Sequence, residues 1–108
     1  MSVINIRVSG PAQLTGAAAT KYTVPANAQL SLKHIHVENP SNAAVGFTMS
    51  IGADAAATRI YDNFSISAGG VLDVFCMYVL NAAEILQAFA SVTSVLTLTL
   101  DGTLIQVP

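Results

Sequence analysis

The chain has 108 residues, of which 53% are apolar and only 9% charged, with a net charge of −2; a typical domain is roughly 25% charged. The length predicts one domain with a single modest core. Its four basic residues, Arg7, Lys21, Lys33 and Arg59, are scattered, which excludes the basic footprint of direct nucleic-acid binding, and one cysteine excludes an internal disulfide.

So few ions leave two kinds of exterior: one built from Ser, Thr, Asn and Ala, or one covered by other chains. No uncharged apolar run of about 18 residues occurs, so no membrane span is predicted. The start, MSVINIRVSG, lacks a basic stretch followed by an apolar run. It predicts a protein made in a cytoplasm and not exported by a secretory signal.

Taken in chain order, VINIRV (3–8) alternates, with Ile4, Ile6 and Val8 on one side. The small-residue stretch PAQLTGAAAT follows, and residues 1–19 are read as a candidate N-terminal arm to a domain that spans 1–108. TKYTVP (20–25) predicts a short strand stopped by Pro25. In QLSLKHIHVENP (29–40), Leu30 and Leu32 share a face, whereas Ile35 and Val37 resume the apolar beat one residue out of step. A bulge near Lys33–His34 returns both pairs to the core side. Asn39-Pro40-Ser41-Asn42 is turn chemistry.

AVGFTMSIG (44–52) predicts Val45, Phe47, Met49 and Ile51 inward and Thr48 and Ser50 outward. TRIYDNFSI (58–66) reads as a kinked strand, and Ser67 to Gly70 turn the chain into VLDVFCMYVL. There Leu72, Val74, Cys76, Tyr78 and Leu80 form one face, and Val71, Phe75, Met77 and Val79 the other, with Asp73 among them. NAAEILQAFAS (81–91) has the composition of a helix, but regular spacing of its neighbours favours a turn at Asn81–Ala83 and then a strand. In VLTLTLDGTLIQV (95–107), Leu96, Leu98 and Leu100 point in, and Asp101-Gly102 is read as a bend. The expected fold is all-β: a single antiparallel β-sandwich of about eight strands, jelly-roll or Ig-like.

Chemistry-bearing patterns are sparse. His34 and His36 sit two apart on a strand, with Glu38 in the same parity, which gives a candidate half-open metal set. It is similar to the His-x-His…Glu pattern of the cupins but lacks their more distant histidine and has its glutamate too early. The plainer reading is of polar strand positions at a surface or subunit contact, with no metal and no cofactor. Cys76 reads as a small buried hydrophobe. Asp54, Asp62, Asp73, Glu84 and Asp101 fall mostly at turns or loop edges, where carboxylates hydrogen-bond backbone. No nucleophile elbow or Gly-rich phosphate loop occurs, so no enzyme is predicted.

YTVPANAQLSLKHIHVENPSNAAVGFTMSI, followed by FSISAGGVLDVF, LNAAEILQAFAS and VLTLTLDGTLI, resembles a recurring type of small bacteriophage virion protein across residues 20–105. The resemblance implies a β-sandwich serving as an accessory part of the particle: a capsid decoration or cement protein, a head fibre or a small tail component. It implies location in the virion after assembly in a bacterial cytoplasm, with the major capsid protein or other virion proteins as partners. It carries over no active-site residues.

The outer residues of the Val71–Leu80 strand raise the question of what covers them. Val71, Phe75, Met77 and Val79 form either an intersubunit patch or a face hidden by a second sheet or by the arm 1–19. Low charge favours the patch and a homo-oligomer, with a trimer as the first candidate. The competing class is a fibre- or tail-associated module binding a host-surface glycan, for which Tyr22, Tyr61 and Phe64 are the nearest aromatics.

Overall fold

Alternation of apolar and polar residues drives nearly every segment into a strand. In the computed structural model, which describes residues 1–107, eight strands form: β1 (Ser2–Gln13), β2 (Ala19–Thr23), β3 (Ala28–Glu38), β4 (Val45–Ile51), β5 (Arg59–Ile66), β6 (Val71–Leu80), β7 (Ile85–Ala90) and β8 (Thr97–Gln106). They build two four-stranded antiparallel sheets, ordered β1-β8-β3-β6 and β2-β7-β4-β5. Only β4–β5 is a hairpin within one sheet; every other connection crosses between sheets. That winding is the jelly-roll form of the β-sandwich. Among the described residues, no helix is long and apolar enough to cross a membrane.

The core lies between the sheets. Leu30, Leu32, Ile35 and Val37 of β3, Phe47 and Met49 of β4, Leu86 of β7, and Leu98 and Leu100 of β8 are fully or almost fully buried. Each such side chain contributes about 1.5–3 kcal/mol relative to exposure. The bulge expected in β3 is present: the register against both β6 and β8 shifts between Leu32 and His34. It keeps both apolar pairs inward and sets His34, His36 and Glu38 on the outer face.

Several expectations change in detail. Residues 2–13, within the segment read as a candidate arm, form β1 at the edge of the first sheet, paired with β8. Leu14 just beyond is fully buried, its N–H donating to the Leu96 carbonyl at 2.8 Å. Thr48 and Ser50 are buried although they alternate with the core residues of β4. Thr48 Oγ1 accepts the Asn63 N–H at 3.0 Å, where β5 kinks through a left-handed Asn63. No bend occurs at Asp101–Gly102; β8 runs on to Gln106.

The 81–91 segment is a turn and then β7. Its Leu86, Ala88 and Ala90 face the core, and Ile85, Gln87 and Phe89 lie on the other face. Ala83 holds φ +69° in that turn, with its N–H on the Val24 carbonyl at 3.0 Å. A left-handed backbone costs a residue with a Cβ about 1–2 kcal/mol. Ala83→Gly relieves it, less the entropy of a freer unfolded chain. A rise in melting temperature of about 4 °C is the expected result in a calorimetric scan; a fall would show that the turn is not strained there.

Candidate functional site

The outer face of the first sheet concentrates the unusual side chains. Residues opposite one another across its ladders share a face, which makes one row of Arg7, Asp101, His34 and Phe75, and beside it a row of Thr99, His36 and Asp73. Arg7 Nε donates to Asp101 Oδ1 at 2.6 Å. His34 Nδ1 lies 3.4 Å from Asp101 Oδ2. On the other side, His34 Nε2 contacts Asp73 Oδ1, and His36 Nδ1 lies 3.1 Å from that same oxygen. The Phe75 ring stacks on His34 at 4.5 Å between centroids and 7° between planes.

The carboxylates shape the electrostatics. Asp73, helped by Asp101 and opposed by burial, pushes the His34 imidazole above its ordinary value. In return His34, and then His36, hold Asp73 below the usual carboxylate range. The acid brought to the two imidazoles is therefore Asp73, from the neighbouring strand. Glu38 is exposed, opposite Val71 and Thr97. Chain spacing could not identify Asp73, because its proximity is created by the β3–β6 register, 37 residues away from His36.

The four apolar residues singled out on β6 are exposed: Val71 52%, Phe75 80%, Met77 72% and Val79 51%. Neither a second sheet nor the N-terminal segment lies over them, since β1 occupies the opposite edge of the sheet from β6. Their partners in alternation, Leu72, Cys76 and Tyr78, pack against the core. Cys76 is half-buried, with Sγ 3.6 Å from the Leu32 carbonyl, and burial pushes its thiol up, away from nucleophilic reactivity.

The remaining acids mostly serve ion pairs and not the turn roles expected of them. Asp54 receives Arg59 through Nε at 2.9 Å and a second guanidinium nitrogen at 3.1 Å, and Asp62 receives it at 2.9 Å. Only Glu84 takes the expected form, its carboxylate accepting the Asn81 N–H at 2.6 Å. Of the aromatics considered for a glycan platform, Tyr61 and Phe64 lie together and Tyr22 stands apart. Tyr22 and Tyr61 lie on β2 and β5, the two edges of the second sheet, and Tyr61 packs on Phe47 and Phe64.

No family model matches the sequence, and no curated protein matches it. The fold does match solved structures. A chain in the structure of infectious bursal disease virus Gx strain superposes with a TM-score of 0.57 at 14% identity, covering 95% of this chain and 31% of that one. The infectious bursal disease virus VP2 subviral particle gives 0.52 at 16% identity, covering 95% and 32%. Such identities establish a shared fold, and this chain spans about a third of those chains' length. The neighbours correct the resemblance drawn from residues 20–105: they come from a virus that is not a bacteriophage. The bacterial cytoplasm as place of assembly rested on that resemblance and loses that support.

Proposed function

We propose that the protein is a non-enzymatic structural component of a virus particle, docking on neighbouring subunits through the outer face of β6. The observation that carries this reading is the set Val71, Phe75, Met77 and Val79, all more than half exposed on an edge strand. Solitary soluble domains rarely leave a long apolar edge strand uncovered, because it is a template for association. The jelly-roll neighbours from infectious bursal disease virus, one of them a VP2 subviral particle, support a shell setting. The 9% charge content suits a surface largely buried between copies.

The role that fits is accessory reinforcement, as in a decoration or cement protein. Burying about 800 Å² per partner is enough for a stable junction. Repetition around a closed oligomer, with a trimer as first candidate, then multiplies a modest contact by effective concentration. Asp73 and the histidine row border the apolar centre, as a polar rim should.

Phe75→Asp tests this directly. The side chain is 80% exposed, so the variant should stay folded, with an unchanged circular dichroism spectrum. Light scattering should show oligomer or particle attachment weakened by about thirtyfold or more, the loss expected when a central aromatic anchor is removed. A variant that unfolds would place the face in the core. A wild-type chain that stays monomeric and binds no particle would end the proposal.

A further inference from the structure

We propose that the outer face of the first sheet carries a site for a borderline transition-metal dication, with Zn²⁺ as the reference ion, ligated by His34, His36 and Asp73. The donor atoms of these three side chains lie within 4.8 Å of one another. Two imidazole nitrogens and one carboxylate oxygen are a donor set that favours Zn²⁺, Ni²⁺ or Cu²⁺ over Mg²⁺ or Ca²⁺, which want oxygens. Three protein ligands leave a position for water.

The backbone builds this set in two steps. The β3 bulge at Leu32–His34 resets the strand's parity, so that His34 and His36 point to the same outer face. The β3–β6 ladder then places Asp73 directly opposite His36. Asp73 Oδ1 already sits between both imidazoles. Two rings can share one carboxylate oxygen only by each turning an N–H to it. A dication takes the place of those protons: each ring keeps one proton, on the nitrogen turned away from the ion, and the second proton of an imidazolium passes to solvent.

A second observation points the same way. With His34 Nε2 turned to the site, its Nδ1 faces Asp101 Oδ2 at 3.4 Å, and Arg7 holds the other Asp101 oxygen at 2.6 Å. A carboxylate behind a ligating histidine fixes its ring and tautomer and raises its basicity, a recurrent outer-shell arrangement at metal sites. Phe75, stacked on His34, limits the ring's swing from a third side. The site adjoins the proposed docking face through Phe75, but its three ligands all come from this chain, so metal binding by the isolated chain is tested independently of docking.

The test is calorimetric titration of the metal-free full chain with ZnCl₂, together with ¹⁵N-edited spectra of the imidazoles. One ion per chain should bind, with micromolar or tighter affinity, and the His34 and His36 ring signals should move. His36→Ala and Asp73→Asn should each weaken binding by about tenfold or more, and His36→Gln provides a second variant should the alanine form misfold. Glu38→Gln should leave the affinity within about twofold, because Glu38 is outside the set. Absence of saturable binding at 100-fold excess over protein in about 10 µM solution would overturn the proposal. So would wild-type affinity in the His34→Ala, His36→Ala double variant, or binding lost in Glu38→Gln but kept in Asp73→Asn.

Discussion

Replacing Asn39 with alanine should lower the free energy of unfolding by about 3 kcal/mol, the sum of two or three stranded polar groups. Asn39, the residue after β3, is fully buried at the junction of two loops. Its Nδ2 donates to the carbonyls of Ala43 at 2.8 Å, Ile66 at 2.9 Å and Ser67 at 3.2 Å. Its Oδ1 accepts the Ser41 N–H at 3.1 Å and the Ser41 hydroxyl at 2.7 Å. The backbone N–H of the same residue donates to the Gly70 carbonyl at 2.9 Å. One side chain thus ties the β3–β4 loop to the end of β5 and the turn into β6. Alanine takes the amide donor from the buried Ile66 carbonyl, where solvent access is poor, and leaves the Ser41 hydroxyl only the Ala43 carbonyl at 2.9 Å.

Asn39→Asp sharpens this prediction. The introduced carboxylate fits the Ser41 donors but faces three carbonyl oxygens with no N–H to give. Its protonated form is therefore favoured in the folded state, which raises its folded pKa above the unfolded value of about 3.9. Between those two values the folded state binds the extra proton, so stability falls as pH rises. Urea denaturation at pH 3.5 and pH 7 should show the aspartate variant closer to wild type at the lower pH, whereas the alanine deficit stays nearly constant. A melting temperature about 10 °C or more below wild type is expected for either variant at neutral pH. Shifts under about 2 °C would mean that water satisfies the loop junction in place of the amide.

Much of this architecture is local and therefore legible in the chain. Period-two alternation marks nearly every strand, and the out-of-step pairs Leu30/Leu32 and Ile35/Val37 reveal the β3 bulge, because only an inserted residue returns both to one side. Spacing settles residues 85–90 as β7 against a helical composition. Pairing order is not local: alternation says that a strand has a core face but not which strand lies beside it. That is why jelly-roll and Ig-like windings stay open until the β1-β8-β3-β6 order is seen. The same limit hides Asp73 from the histidines and the partners of Asn39. The apolar character of the outer face of β6 is local, written at positions 71, 75, 77 and 79 around Asp73, but whether another element covers that face depends on the sheet order and is not legible in the strand itself.

Gly102→Ala is the last of the large effects, and it links the fold to the histidine cluster. A Cβ at Gly102 would stand 2.5 Å from the Ser31 carbonyl oxygen and 3.3 Å from Leu32 Cα, both backbone atoms of β3. Neither can swing aside as a side chain would. Gly102 sits opposite Leu32, at the step where the β3 register shifts. The glycine is there because the bulged strand comes too close for any side chain, not because β8 bends. Overpacking of this kind costs about 1–3 kcal/mol, and the larger Gly102→Val should cost more or prevent folding. The strain can be relieved only by moving β3 away from β8 or by easing the bulge. Either change moves the segment that aims His34 outward. The alanine variant should therefore lose stability in denaturant and also shift the His34 ring signals, while residues of β5 in the other sheet keep theirs. Stability within about 0.5 kcal/mol of wild type, with unmoved imidazole signals, would show that β3 has room at this point and that the bulge is held by something other than the close approach of β8.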